Sequence, residues 1–300
     1  MSYAIDAHVH TINSDGQYDA LHVLDIAKRA GVSTVVFTDH SGVTYSESIQ
    51  AYAQNIGINM PLMGIEVSTI HEGHKYHVLA YAKSLKNEQL ERYLMYPTMV
   101  KNDRFVKIIS GLIENGVQIP GKTDILKGIQ EDGKYSHPDK WMYTGTLIAS
   151  YVSKALGIPL EEARALFADV GTPDKRIVAV EERLSREQKY LSTTEVIRNL
   201  AQYGAVSIIA HPWWECTKTS DVETVIRHFG AFKEAGVSGF EFEYYNNNPV
   251  FIAASENLAS FYPEFIHVGG SDFHGDKRFD IGKRGVKQED FEQLMKMVRA

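Results

Sequence analysis

Short apolar segments alternate with amphipathic segments at both ends of the chain, and this alternation restricts the fold more than any other feature. Apolar residues recur at helical spacing after the first apolar segment, and again around 219–235, 249–261 and 288–299. The predicted strands are Tyr3–Val9, Ser33–Thr38, Pro61–Val67, Tyr76–Tyr81, Ala205–Ala210, Gly239–Tyr244 and Phe265–Gly269. Alternating strands and helices predict an α/β fold built on a parallel sheet or barrel.

The middle of the chain has a different pattern. From about residue 85 to residue 193, apolar residues recur at helical spacing with almost no strand-like segment. We therefore predict a first part of the α/β unit at 1–84, an inserted, mostly helical subdomain at 85–193, and a second part at 194–300. The insert is expected to act as a lid or specificity element.

The composition argues against several classes of protein. The 300 residues carry 31 Lys and Arg against 38 Asp and Glu, a net charge of -7, which argues against a protein that mainly grips long nucleic acids. Cys216 is the single cysteine, which excludes an internal disulfide framework and a multi-cysteine zinc module. Neither a secretory signal nor an apolar run of the roughly 20 residues needed to span a membrane is visible, so we predict a cytoplasmic protein.

Histidine is abundant, with 12 residues, and half of these histidines lie with carboxylates at or just after the carboxyl ends of predicted strands. These groups are His8, His10, Asp39, His40, Glu66, His77, His211, Asp272 and His274. In parallel α/β barrels the carboxyl ends of the strands form a common rim where sites assemble. His8 and His10 are two residues apart in a strand, so their imidazoles point to the same side. Clustered imidazoles and carboxylates predict a site for several ions of zinc, manganese or iron.

Each of these motifs, taken alone, also has an ordinary structural interpretation. An H-x-H pair can be a strand with satisfied histidines, Asp39-His40 can cap a turn, and Glu66 can be a solvated carboxylate despite its apolar neighbours. The occurrence of all these groups together at predicted strand ends favours a metal site.

The same motifs, in their order along the chain, resemble the PHP family of metal-dependent phosphoesterases, named for polymerase and histidinol phosphatase. The matching segments are Asp6-Ala7-His8-Val9-His10-Thr11, Ser14-Asp15-Gly16, Phe37-Thr38-Asp39-His40, Gly64-Ile65-Glu66-Val67, Tyr76-His77-Val78-Leu79, Ile209-Ala210-His211-Pro212 and Gly270-Ser271-Asp272-Phe273-His274-Gly275. The resemblance implies a distorted (β/α)7 TIM-like barrel. The insert between His77 and His211 resembles that of the branch related to nucleoside 3′,5′-bisphosphate phosphatases.

The resemblance further implies a ligand set for two to three divalent ions of manganese, iron or zinc. The implied ligands are His8, His10, Glu66 and Asp272 for a first ion; Glu66 again with His77 and His211 for a second; and Asp15, His40 and His274 for a third. In the implied mechanism a metal-bridging hydroxide attacks phosphorus in line. Asp15 and His211 are the candidates for the acid that protonates the leaving group.

Substrate-binding residues are expected at the rim and in the insert. The basic candidates for binding phosphate are Lys101, Arg104, Lys134 and Lys140, of which Arg104 matches a basic helix of the related insert best. A solvated charge on a helix face explains each of them as well. His71 and His74 compete with His77 as metal ligand, but they resemble rim loop residues, and His71 is a further candidate for touching substrate.

Two further features, the Trp213-Trp214 pair and Glu241, have two interpretations each. Trp213 and Trp214 either form a wall of the substrate pocket or pack at the rim. Glu241 either supports the metal ligands from behind or is a satisfied carboxylate of the barrel. His22 and His228 lie on predicted helices and are expected at the surface.

These features predict a metal-dependent phosphohydrolase that releases phosphate from a small phosphorylated metabolite. The expected substrate is a nucleotide, a nucleoside bisphosphate or a cyclic phosphate. The alternatives are a histidinol-phosphatase-like monoesterase, a short-strand nucleic-acid exonuclease and a non-catalytic metal-binding module. The helical insert argues against the monoesterase, and neither a membrane nor a long nucleic acid is expected as a partner.

Overall fold

The computed structural model describes residues 3–40, 42–114, 190–214, 219–242, 248–275 and 280–298, with residue 216 and short pieces between 116 and 165. These residues form a mixed α/β fold. The strands are β1 Ile5–Val9, β2 Thr34–Phe37, β3 Met63–His71, β4 His74–Ala82, β5 Leu191–Ser192, β6 Val206–Ala210 and β7 Gly239–Phe240. The helices are α1 Ala20–Arg29, α2 Glu47–Asn55, α3 Glu88–Glu114, α4 Leu160–Ala165, α5 Thr193–Gln202, α6 Thr219–Ala235, α7 Pro249–Phe261 and α8 Gln288–Met297.

Helix α1 shows how local sequence sets the boundaries of an element. The Asp19 carboxylate accepts a hydrogen bond from the backbone N–H of His22 at 2.9 Å and so caps the first turn. Gly31 follows the helix with φ of +82°, a left-handed conformation that glycine adopts without a Cβ clash. The helix predicted after the first strand is confirmed.

The direction of β4 differs from the parallel arrangement that we predicted. Strands β5-β3-β4-β6-β7 form one sheet, in which β4 is antiparallel to both β3 and β6. The cause is the two-residue turn Glu72-Gly73, because a connection this short can join only antiparallel strands. The pairs β1–β2, β3–β5 and β6–β7 are parallel.

Single bridges connect the remaining strand segments. His40, just after β2, pairs with Glu66 of β3, and Gly239 of β7 pairs with Ile266. Phe273 in turn pairs with Val9 of β1. The predicted strand Phe265–Gly269 is therefore reduced to a single bridge at Ile266. The predicted strand Gly239–Tyr244 is reduced to β7, with 243–247 outside the described residues.

Hydrophobic side chains cover both faces of the central sheet. Leu79 and Tyr81 of β4 pack with Ile208 of β6 in one buried cluster, whereas Val78 points to the opposite face and packs with Phe229 of α6. This alternation follows the two-residue period of a strand. Burial of each large apolar side chain contributes about 1.5–3 kcal/mol, so the sheet is a firm support for the polar groups at its rim.

The described part of the predicted insert is helical. Helix α3 continues through residue 97, so Pro97 does not end the helix, although a proline removes one backbone hydrogen bond. Helix α4 is a second helical piece. The limits 85 and 193 stay a prediction. Among the described helices, none combines the length and the apolar character that crossing a membrane requires.

Candidate metal centre

A buried carboxylate, Glu66 of β3, lies at the centre of the polar cluster. Its Oε1 lies 2.9 Å from His77 Nδ1 and 3.1 Å from His211 Nε2, and its Oε2 lies 3.1, 3.3 and 3.5 Å from the Nε2 atoms of His10, His40 and His8. One carboxylate thus contacts imidazoles from five separate positions in the sequence.

Two further carboxylates complete the cluster. Asp272 Oδ1 lies 3.2 Å from Nε2 of both His8 and His10. Asp15 Oδ1 lies 3.2 Å from His274 Nε2 and 3.4 Å from His10 Nδ1. The structure therefore brings together all nine residues proposed as ligands, although β1, β3 and the segment after Ile266 are far apart in sequence.

The rule that the ligands lie at the carboxyl ends of strands is only partly correct. His77 is the fourth residue of β4 and pairs with Ala210, the last residue of β6. Because β4 is antiparallel, its beginning reaches the rim at which β6 ends. Glu66 lies within β3, and the β3–β4 hairpin continues beyond it.

Two of the predicted ligands have strained backbone conformations. His211 has φ of +24° and Asp272 has φ of +54°, values that non-glycine residues seldom adopt and that cost about 1–3 kcal/mol each. Hydrogen bonds hold both in place: the His211 N–H donates to Glu241 Oε2 at 2.9 Å, and the Asp272 N–H donates to the His8 carbonyl at 2.9 Å. Such strain is typical of functional positions.

Glu241 supports the ligands from behind. Its buried carboxylate accepts hydrogen bonds from the N–H groups of Gly270 at 2.7 Å and His211 at 2.9 Å, and it lies 3.2 Å from His8 Nδ1. The contact to Nδ1 orients the His8 ring so that Nε2 faces the cluster. A carboxylate in this position sets the tautomer of a metal-binding histidine.

Asp39 and Asp6 are two further supporting carboxylates, a role that the sequence analysis assigned to neither of them. Asp39 accepts hydrogen bonds from the Thr11 N–H at 2.7 Å and the Ser14 hydroxyl at 2.5 Å. Asp6 accepts from the Ser271 N–H at 2.9 Å, and burial raises the pKa of Asp6 to about 6. Their position next to ligand residues in otherwise apolar segments was the available signal.

Buried opposite charges shift the pKa values of the cluster. Although burial opposes it, the carboxylates of Glu241, Glu66 and Asp272 hold the pKa of His8 well above its ordinary value. Burial alone would raise the pKa of Glu66, but the surrounding histidines outweigh this effect and hold the pKa well below its ordinary value. Burial lowers the pKa of His40 to about 3. Without an ion, protons on imidazole balance the carboxylates, and a bound cation would displace them.

The donor atoms fit divalent metal ions. Three groups each offer ligand atoms within 4.8 Å of one another: His8, His10, Glu66 and Asp272; His10, Asp15, His40 and His274; and His40, Glu66 and His77. The first group is the implied first set, and the second adds His10 to the implied Asp15, His40 and His274. The third contains His40 in place of the implied His211. In the part of the chain that is described, buried His40 Nδ1 also has no hydrogen-bond partner. Imidazole nitrogens and carboxylate oxygens together suit zinc, manganese or iron.

The exposed members of the cluster mark its opening to solvent. Asp15, His77 and His274 have side-chain exposures of 26%, 16% and 15%, whereas Glu66 is buried. Trp214 is 45% exposed, with its ring centroid 5.5 Å from that of His77. Trp213 is buried and donates from Nε1 to Ser255 Oγ at 2.8 Å. Of the two tryptophans, Trp214 borders the opening and Trp213 packs in the core.

Comparison with known proteins finds one family model that matches part of the chain. Residues 6–125 match the family model of the PHP domain. The family resemblance predicted from the motifs is confirmed.

Three similar proteins align with this chain over most of its length. The chain is 23% identical over 274 residues to phosphoribosyl 1,2-cyclic phosphate 1,2-diphosphodiesterase of Eggerthella lenta, covering 90% of this chain and 94% of the relative. A Bifidobacterium adolescentis protein, for which metal-dependent phosphoesterase activity has been suggested, has the same fold, with a TM-score of 0.75, 20% identity and coverage of 98% and 96%. An amidohydrolase from Chromobacterium violaceum, with bound sulfate and no metal, has a TM-score of 0.74 at the same identity and coverage.

The remaining candidate residues either lie away from the Glu66 cluster or fall outside the residues that the structure describes. His71 and His74 are not loop residues, because His71 is the last residue of β3 and His74 is the first residue of the paired strand β4. His71 is an odd number of residues from Glu66, so it points to the opposite face, where it contacts Phe232 of α6. This position does not support contact with substrate.

Two predictions about surface histidines had different outcomes. His22 is exposed, as predicted. His228 is buried, so the prediction of a surface position was wrong, and burial lowers the pKa of its imidazole. Lys101 and Arg104 belong to α3, but their side chains are not described. Lys134 and Lys140 lie outside the described residues.

Proposed function

We propose that this chain is a metal-dependent phosphoric ester hydrolase that acts on small phosphorylated metabolites. The observation that carries the proposal is the Glu66 carboxylate, which lies within 3.5 Å of five imidazoles and is flanked by Asp15 and Asp272. A buried cluster of this kind suits several divalent ions in one pocket, because carboxylates can bridge between ions.

The proposed ligand sets follow the contacts around Glu66. One ion would be held by His8, His10, Glu66 and Asp272, and a second by Glu66, His77 and His211. A third would be held by Asp15, His40 and His274. Manganese, iron and zinc all match these donors.

The chain's own groups would orient and support the reaction. When bound, the ions would lower the pKa of a coordinated water towards neutrality and offset the charge on phosphate oxygens. Asp15 is the most exposed proposed ligand, so it would meet the substrate first. Asp15 and His211 are the proposed proton donors to the leaving alkoxide, and Glu241 holds His211 in place through its backbone N–H.

A cyclic phosphate of a small sugar or nucleotide is the substrate that we propose to test first. Support comes from the Eggerthella lenta relative, whose name specifies a phosphoribosyl 1,2-cyclic phosphate and which aligns over 94% of its length. Hydrolysis of such a ring adds water at phosphorus and breaks one ring P–O bond, leaving a monoester. A second hydrolysis would release inorganic phosphate. Trp214, beside His77, would pack against the sugar or base.

We also propose that the strand segments close into the distorted (β/α)7 barrel implied by the family. The bridges His40–Glu66, Gly239–Ile266 and Val9–Phe273 support closure, because they link the segments in a circuit that returns to β1. The segment 85–193 is proposed as the lid, with Lys101, Arg104 and Lys140 as phosphate-binding residues.

The test is a hydrolysis screen with metal-loaded protein. The panel holds a ribose 1,2-cyclic phosphate, nucleoside cyclic phosphates, nucleoside 3′,5′-bisphosphates, histidinol phosphate and a short oligonucleotide. Phosphorus NMR follows ring opening, and a colorimetric assay follows release of inorganic phosphate. We expect hydrolysis of a cyclic phosphate, with loss of activity in Glu66→Gln.

The matched control is Glu256→Gln, which makes the same change at an exposed position on α7 and should keep wild-type activity. If the protein hydrolysed only histidinol phosphate or only the oligonucleotide, the cyclic phosphate would be rejected as its substrate. A protein that binds its ions but hydrolyses nothing in the panel would refute the enzymatic proposal and favour a non-catalytic metal-binding module.

A further inference from the structure

A second group of possible metal ligands lies at the tip of the β3–β4 hairpin. His71 ends β3, Glu72 begins the turn, and His228 of α6 packs against both. His71 is five residues beyond Glu66, which corresponds to about 17 Å along a strand and to the opposite face of the sheet. The group is therefore separate from the Glu66 cluster.

The buried His228 is the anchor of this group. Its imidazole is 2% exposed, with Nδ1 2.7 Å from Tyr76 Oη and Nε2 3.2 Å from Glu72 Oε2. A histidine whose one ring nitrogen is hydrogen-bonded to a neighbour presents the other nitrogen in a fixed direction, as metal-binding histidines do. Here the directed nitrogen is Nε2, and it faces a carboxylate.

His71 supplies a third donor. Its ring packs edge-on against that of His228, with centroids 4.8 Å apart. One ligand atom from each of His71, Glu72 and His228 lies within 4.8 Å of the others. Zinc ligands stand about 2.0–2.2 Å from the ion, so closing around it requires movement of about 1 Å. Glu72 is 65% exposed and free to make this adjustment.

The turn itself places the carboxylate. Glu72 and Gly73 have φ of +46° and +83°, as both central residues of a type I′ turn require. Asn, Asp or Gly normally occupies the first of these positions, and a glutamate there is strained by about 1–3 kcal/mol. Strain that persists at a position facing a buried histidine is typical of a functional residue.

We propose that His71, Glu72 and His228 bind a single divalent transition-metal ion, with zinc as the ion that suits two imidazoles and a carboxylate best. The ion would fasten the tip of the β3–β4 hairpin to α6. Since the same hairpin carries Glu66 and His77, this second site would stiffen the element that presents two ligands of the main centre.

The test counts zinc ions on the loaded full-length protein by equilibrium dialysis against rising free zinc. We expect the wild type to bind one more zinc per chain than Glu72→Gln or His71→Ala. Glu72→Gln is the sharper variant, because its amide oxygen still accepts a hydrogen bond from His228 while its ligand charge is gone. Glu256→Gln is the control and should keep the wild-type count.

Anomalous scattering at the zinc absorption edge then locates the ions in crystals of the loaded protein. A peak between His71, Glu72 and His228 supports the proposal, and circular dichroism confirms that each variant is folded. Equal zinc counts in the wild type and Glu72→Gln, or anomalous peaks confined to the Glu66 cluster, would overturn it. The group would then be a Tyr76–His228–Glu72 hydrogen-bond network only.

Discussion

Replacing Glu241 with glutamine should weaken metal binding although Glu241 is not itself a proposed ligand. Its two carboxylate oxygens accept from Gly270 N–H at 2.7 Å and His211 N–H at 2.9 Å, and they lie near His8 Nδ1. Glutamine has one acceptor oxygen, so its NH2 group must face at least one buried donor. A buried donor left unpaired costs about 1–3 kcal/mol.

The loss in metal affinity expected for Glu241→Gln is similar in size to the cost of the unpaired donor. Removing the group that orients a metal-binding histidine typically lowers metal affinity about 10- to 100-fold, which corresponds to about 1.4–2.7 kcal/mol. Metal affinity is measured on stripped protein by competition with a chromophoric chelator, and the stability of the metal-free fold by urea unfolding. We expect Glu241→Gln to lower both.

Glu256→Gln, the matched change at an exposed position, should alter neither quantity. If Glu241→Gln bound the ions with wild-type affinity, the orientation of His8 and His211 by Glu241 would be irrelevant to the centre. If it lowered stability alone, Glu241 would be a structural carboxylate of the fold.

Two further predictions concern the opening and the protons of the centre. Trp214→Ala should raise the KM for a cyclic phosphate by about 2- to 10-fold with little change in kcat, because it removes an aromatic contact of about 0.5–1.5 kcal/mol. The control is Phe261→Ala, which removes an exposed aromatic side chain at the end of α7. Metal affinity should rise with pH by about tenfold per unit for each proton displaced, because the raised pKa of His8 and His10 keeps protons on the ligands that an ion must replace. Chelator competition between about pH 6 and pH 8 measures this slope, and a flat profile would contradict it.

The ligand residues could be predicted from the sequence because their signal is local. His8 and His10 share one side of a strand whatever its neighbours are, and Asp272-Phe273-His274 repeats the spacing. The direction of β4 could not be predicted in the same way, since a two-residue period is identical in parallel and antiparallel strands. The Glu72-Gly73 turn decides it, and glutamate is not among the usual residues of such a turn.

The apolar residues around His228 indicate its burial. Phe232 lies four residues later and Val225 three residues earlier, and residues at these spacings share one face of a helix. All three are buried in the structure. A histidine within an apolar stripe needs polar partners, and Tyr76 and Glu72 supply them from the neighbouring hairpin.

The segment after Ile266 departs from a regular strand because it makes room for the supporting carboxylates. A Cβ atom added at Gly269 would lie 2.2 Å from Glu241 Oε1, and one added at Gly270 would lie 2.1 Å from Asp6 Oδ1. Both carboxylates must approach the backbone this closely to accept the N–H groups of Gly270 and Ser271. The glycines that break the β pattern therefore allow the hydrogen bonds that fix the start of Ser271-Asp272-Phe273-His274. Apolar periodicity cannot reveal this requirement, because what matters at Gly269 and Gly270 is the absence of a Cβ atom.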